Sequence, residues 1–128
     1  MGLQIDVVLR GEILLVTVTG SVAYDPALRL YKQMFDTAAE KQVHKILVNT
    51  LAMDGDLSPL ERYHLGVQAA AYLKQRKMNP RLAIVGKPPE MDGLGVGVAR
   101  NRKVTAEAFP SEQDALTWLE MGRVGGRL

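Results

Sequence analysis

Strands that alternate with helices after an opening hairpin predict a single α/β domain with a mixed, mainly parallel five-stranded sheet and about four helices. Three observations carry this reading. Two short β-branched segments stand too close together to join anything but antiparallel neighbours. Four helical patterns then follow strands in the order β-β-α-β-α-β-α-β-α. Finally, 128 residues without an internal repeat or a long linker make one folding unit, not two.

Gln4 to Leu9 alternates in the manner of a strand, with Ile5, Val7 and Leu9 on one face. Arg10-Gly11-Glu12 is a tight turn, and Ile13 to Thr19 is a second strand. Asp25-Pro26 marks the first helix, with Asp25 as cap and Pro26 at the first helical position. Leu30, Tyr31, Met34, Phe35 and Ala38 form its apolar stripe. Lys45 to Asn49 has the apolar centre of a strand covered on both faces. After the polar turn Asp54-Gly55-Asp56, Ser58 caps the next helix and Glu61 reaches back to it. Leu65, Ala69, Tyr72 and Leu73 are that helix's main stripe, widened by Leu60, Val67 and Ala71, and Asn79-Pro80 closes the region. Leu82 to Val85 is another buried strand. Met91 to Asn101 is a short helix weakened by Gly93, Gly95 and Gly97. Val104 to Phe109 is the last strand, and Ser111 caps a helix that runs to Glu120. These boundaries give a domain over residues 1–121 and a loose, glycine-rich tail over 122–128.

Composition narrows the function classes. Hydrophobic residues make up 47% and charged residues 23%, the balance of a folded globular chain. No cysteine is present and only His44 and His64 are histidines, which excludes thiolate chemistry and multi-histidine metal sites. The N-terminus carries no basic region ahead of an apolar run, and no apolar run approaches the ~20 residues that span a bilayer. The expected location is the cytoplasm. Charge is unevenly placed: residues 74–103 hold eight basic groups against Glu90 and Asp92, while residues 1–73 hold six against eight acidic ones. A basic segment of this kind is either a solvated face or a surface for an anionic partner. Nucleic acid is not expected, because aromatic content is 5% and no aromatics interleave with the bases.

Four candidate sites follow from the residues. Ser58 and His64 are six positions apart on one helix, a turn of about 600° and a rise of roughly 9 Å, so they cannot act as nucleophile and base. No catalytic residues are assigned. Asp54, Asp56 and Ser58 alternate as calcium ligands do, but Pro59 and Leu65 occupy positions a calcium loop reserves for Gly and Glu, so no metal is assigned. The glycines at 93, 95 and 97 miss both the P-loop and the dinucleotide spacing, and no cofactor is expected. Ser58 remains: as an N-cap it binds helix amides, and the same helix end would accept a phosphate.

The layout resembles the STAS domain of bacterial anti-sigma-factor antagonists, and more closely its SpoIIAA-like branch, which is grouped with CRAL-TRIO-type lipid carriers. The resemblance covers about residues 3–120. It is carried by the hairpin followed by βα units, by Glu61-Arg62-Tyr63-His64-Leu65-Gly66, and by the closing Phe109-Pro110-Ser111-Glu112-Gln113-Asp114-Ala115-Leu116-Thr117-Trp118-Leu119. It implies a non-enzymatic domain that docks a protein or holds a ligand. In phospho-switched members a serine within Asp-Ser-Ser-Gly opens the central helix. That motif is absent here, and Asp54, Asp56 and Ser58 occupy its region as the phosphorylation or docking candidates. In lipid-linked members later helices swing to expose an apolar pocket. The corresponding expectation is a pocket lined by Tyr63, Val67, Met91, Leu94 and Val98 for an apolar or lipid-like molecule. Arg100, Arg102 and Lys103 would then meet an anionic group or membrane surface. A homodimer is compatible with either reading.

Overall fold

The computed structural model describes residues 2–87 and 94–126. Its elements are β1 (Gln4–Arg10), β2 (Ile13–Ser21), α1 (Tyr24–Lys41), β3 (Lys45–Asp54), α2 (Pro59–Gln75), β4 (Arg81–Val85), α3 (Leu94–Asn101), β5 (Thr105–Phe109) and α4 (Glu112–Gly126). The sheet has the order β1-β2-β3-β4-β5, with β1 antiparallel to β2 and every other pair parallel. Because the strand order never reverses, right-handed crossovers place α1, α2 and α3 on the same face. Alternate strand residues confirm it. Leu14, Val16, Ile46, Val48, Leu82 and Ala106 pack under those three helices, while Leu47, Ala83 and Val85 meet Ala115 and Leu119 of α4 on the other face. Arg81 pins α4 there: its guanidinium stacks 3.7 Å from the Trp118 ring centroid and donates to the Trp118 carbonyl at 3.0 and 3.2 Å. Desolvation in this position lowers the Arg81 pKa.

Three boundaries differ from those expected. α1 begins at Tyr24 with Ala23 as its cap residue and no side-chain cap, so Asp25 and Pro26 both lie inside the first turn. Proline is tolerated there because first-turn N–H groups have no intrahelical partner, and Asp25 favours the positive helix end. β3 continues past Asn49 to Asp54, pairing with the end of β2 after a register shift between Thr17 and Thr19. α4 continues to Gly126, into the stretch read as a loose tail. Among the described residues no helix is long and apolar enough to cross a membrane.

Helices α1, α2 and α3 end by one shared device. Gln42, Lys77 and Lys103 adopt left-handed backbone angles, with φ of 58°, 57° and 72°. The residue after each closes a six-residue ring: Val43 N–H to Ala38, Met78 N–H to Leu73, and Val104 N–H to Ala99. This is the Schellman motif, whose left-handed position normally takes glycine. None of the three is glycine, so the usual glycine stop signal is missing at these points, and only Asn79-Pro80 just beyond α2 marks an end. Gln42→Gly is expected to stabilise the fold by about 1 kcal/mol, since it relieves a side-chain clash that exceeds glycine's added chain entropy. Equilibrium urea unfolding measures it.

Candidate functional site

The turn between β3 and α2 is held from inside and open outside. Asp54 ends β3 and its carbonyl accepts from Val22 N–H at 2.9 Å. Gly55 supplies the left-handed angle of the turn (φ 85°). Leu57 is 7% exposed and anchors the turn in the core, while Asp54, Asp56 and Ser58 are exposed. The Ser58 hydroxyl accepts from Glu61 N–H at 3.1 Å, and Glu61 Oε1 accepts from Ser58 N–H at 2.9 Å. This complete capping box fixes the first turn of α2. Leu60 and Tyr63 stand outward beside it, 65% and 40% exposed. His64 lies edge-on to Tyr63, with ring centroids 5.5 Å apart, and the Ser58 hydroxyl is committed to its cap.

A second feature lies under the helices. A cavity of about 120 Å³, partly open to solvent, lies between the sheet and α1, α2 and α3. Its walls include Val18, Val48, Met53 and Ile84 of the sheet, Leu30 and Tyr31 of α1, Leu65, Gly66 and Ala69 of α2, and Val96 and Ala99 of α3. Thr50 contributes a hydroxyl already donating to the Val85 carbonyl at 2.8 Å. Arg62 is the one charged residue among the described lining residues, and its Nη1 donates to the Leu57 carbonyl at 2.6 Å. Burial pushes the Tyr31 hydroxyl from its ordinary pKa of 10.0 up to about 12, so it stays neutral.

Of the residues expected to line a pocket, Tyr63, Val67 and Val98 do not border this cavity. Tyr63 is on the surface, Val67 faces a separate groove, and Val98 is 8% exposed without lining the cavity. Met91 and the side chain of Leu94 lie outside the described residues. The main stripe of α2 does turn inward, with Leu65 and Ala69 on the cavity wall, but Tyr63 and Val67 each lie two positions before them, about 200° round the helix, and cannot share that wall. Leu65, Gly66 and Ala69 face the cavity, whereas Leu60 and Ala71, expected to widen the core stripe, are exposed. The small residues Gly66, Ala69, Ala99 and Ala106, which leave the space, were the signal for this cavity.

The basic residues are also divided. Arg100 pairs with Glu107 at 2.8 Å. Arg102 and Lys103 line an open groove of about 600 Å³ with Lys74, and Val67, Ala71, Met78 and Val104 form its apolar walls. They do not border the cavity. An anionic head group held by these bases would not sit over a molecule in the cavity.

No protein-family model matches the chain, and no curated protein matches it. Solved structures do. The chain is similar to an anti-sigma factor antagonist from Mycobacterium paratuberculosis, with a TM-score of 0.62 and 14% identity over 93% of this chain and 95% of that one. It is also similar to an uncharacterised DUF3478-family protein with a SpoIIAA-like fold from Shewanella loihica PV-4, with a TM-score of 0.52 and 19% identity over 92% and 93% of the two chains. At these identities the likeness is one of fold. Hairpin, parallel extension, three helices on one face and a closing helix on the other together make this a single α/β domain with the SpoIIAA-like (STAS) fold.

Proposed function

We propose that this domain is a regulatory protein-docking module of the anti-sigma-factor-antagonist type, which works by binding and not by catalysis. The observation that carries the proposal is the exposed pair Leu60 and Tyr63 beside a rigid acidic turn. Large apolar side chains held outward on a preorganised element are what a partner can bury at low entropic cost. The full-length likeness to an anti-sigma factor antagonist supports an anti-sigma factor as that partner. Ser58 is positioned to modulate it, because a phosphate there would sit between Asp54, Asp56 and Glu61 at the helix end.

Two substitutions separate the cap from the charge. Ser58→Ala removes the cap and costs about 1 kcal/mol of stability, without adding charge. Ser58→Asp keeps a good cap and adds a negative charge. In calorimetric titrations with the anti-sigma factors of the same genome, Ser58→Asp is expected to weaken binding at least tenfold and Ser58→Ala to leave it near wild type. Equal affinities for all three proteins would remove Ser58 from the regulation.

A second reading rests on the cavity. Its nearly all-apolar wall suits a small apolar molecule, and about 120 Å³ is well below the ~300 Å³ at which drug-sized pockets begin. This favours a molecule of roughly benzene size, as in engineered apolar cavities of similar volume, over an acyl chain with its head group. Benzene is then expected to raise the unfolding temperature of the wild type and to leave that of Ala99→Leu, which fills the cavity, unchanged. An equal rise in both proteins would assign the effect to the surface.

A further inference from the structure

α2 carries apolar residues on one flank as well as on its inner side. Leu60, Tyr63, Val67 and Ala71 recur at spacings of three and four along that flank, beside the outward polar residues His64, Gln68 and Gln75, and nothing among the described residues covers Leu60, Tyr63 or Ala71. At its far end this stripe runs into the open groove that Ala71 shares with Lys74, Arg102 and Lys103. At its near end stand Asp54, Asp56 and Glu61. The stripe therefore has one acidic end and one basic end.

We infer that this face pairs with the same face of a second copy, α2 against α2 in antiparallel order about a two-fold axis at Val67. The charge pattern argues for this occupant, because antiparallel pairing sets each acidic end against the partner's basic end, and a two-fold does so twice. Shape argues for the same register. Residues equally far from Val67 face one another, so Tyr63 meets Ala71 and Leu60 meets the aliphatic stem of Lys74. The ring of Tyr63 then enters the groove beside the partner's Ala71, within reach of the partner's Arg102, where a guanidinium over an aromatic face is favourable. A parallel pair would instead set acid against acid.

The inference does not rest on the docking proposal, since it concerns the protein alone. It does share Leu60 and Tyr63 with it, so a partner that docks there displaces the second copy.

Sedimentation equilibrium from micromolar to sub-millimolar concentration tests it. The wild type is expected to be a reversible dimer that weakens as salt rises. Ala71→Glu, at an exposed position, is expected to give a folded monomer, and Tyr63→Ala to weaken the dimer about tenfold or more. Lys74→Glu and Asp56→Lys should each weaken it, and the double variant should restore most of the loss. A wild-type monomer throughout the range would overturn the inference, as would a dimer indifferent to Ala71→Glu. Failure of the double variant to recover would overturn the antiparallel register.

Discussion

Phe35→Ala is expected to cost about 3–5 kcal/mol, a large share of the ~5–15 kcal/mol that holds a domain of this size together. Phe35 is 0% exposed and lies on α1 between the rings of Tyr31 and Tyr72, whose centroids are 6.0 and 6.5 Å away. Removing the ring leaves a void that Tyr72 cannot collapse into, because it is held, and it widens the space beside Tyr31, which already borders the cavity. The Tyr72 hydroxyl donates to Asp36 at 2.6 Å, and Arg76 donates to the same carboxylate at 2.5 Å. That hydrogen bond to Asp36 is also the main reason the Tyr72 pKa is raised. The loss therefore falls on the contact between α1 and α2, and α2 is the helix that follows the proposed docking turn. Urea unfolding measures the cost, and a loss below about 1 kcal/mol would mean that the α1–α2 core is looser than the structure shows.

Leu60→Asp is the opposite case, with a large effect on binding and almost none on folding. At 65% exposure Leu60 contributes little to the core, so stability should change by no more than about 0.5 kcal/mol. In the docked complex it would be an apolar anchor next to the acidic turn. Replacing it with a carboxylate beside Asp56 is expected to weaken binding of the anti-sigma factor by about thirtyfold or more, the scale of an interface hot spot. Surface plasmon resonance gives the affinity, and a thermal melt of the same sample confirms the fold. Unchanged affinity would move the docking surface away from α2.

The fold was legible because its signals are local. Alternation in Ile13–Thr19, the apolar runs at Ile46–Val48 and Leu82–Val85, and the capping pairs at Ser58 and Ser111 each announce an element through its own residues. Helix ends were less legible where Gln42, Lys77 and Lys103 do the work of glycine. The site was half legible. The exposed turn at Asp54, Asp56 and Ser58 stands where the residues placed it, because a capped helix start is a local object. The inward stripe of Leu65 and Ala69 was legible from periodicity, but the cavity was not, because it depends on how α3 meets α2 across a gap left by Gly66, Ala69 and Ala99. Tertiary packing decides that gap, and no local pattern in either helix announces it.

The most direct test of docking through the start of α2 is a map of amide chemical shifts as the labelled protein is titrated with an anti-sigma factor from the same genome. Shifts that saturate and concentrate between Asp54 and Tyr63 are the expected result. Saturable binding with its shifts centred on β1 or α4, and the Asp54–Tyr63 amides unmoved, would contradict it.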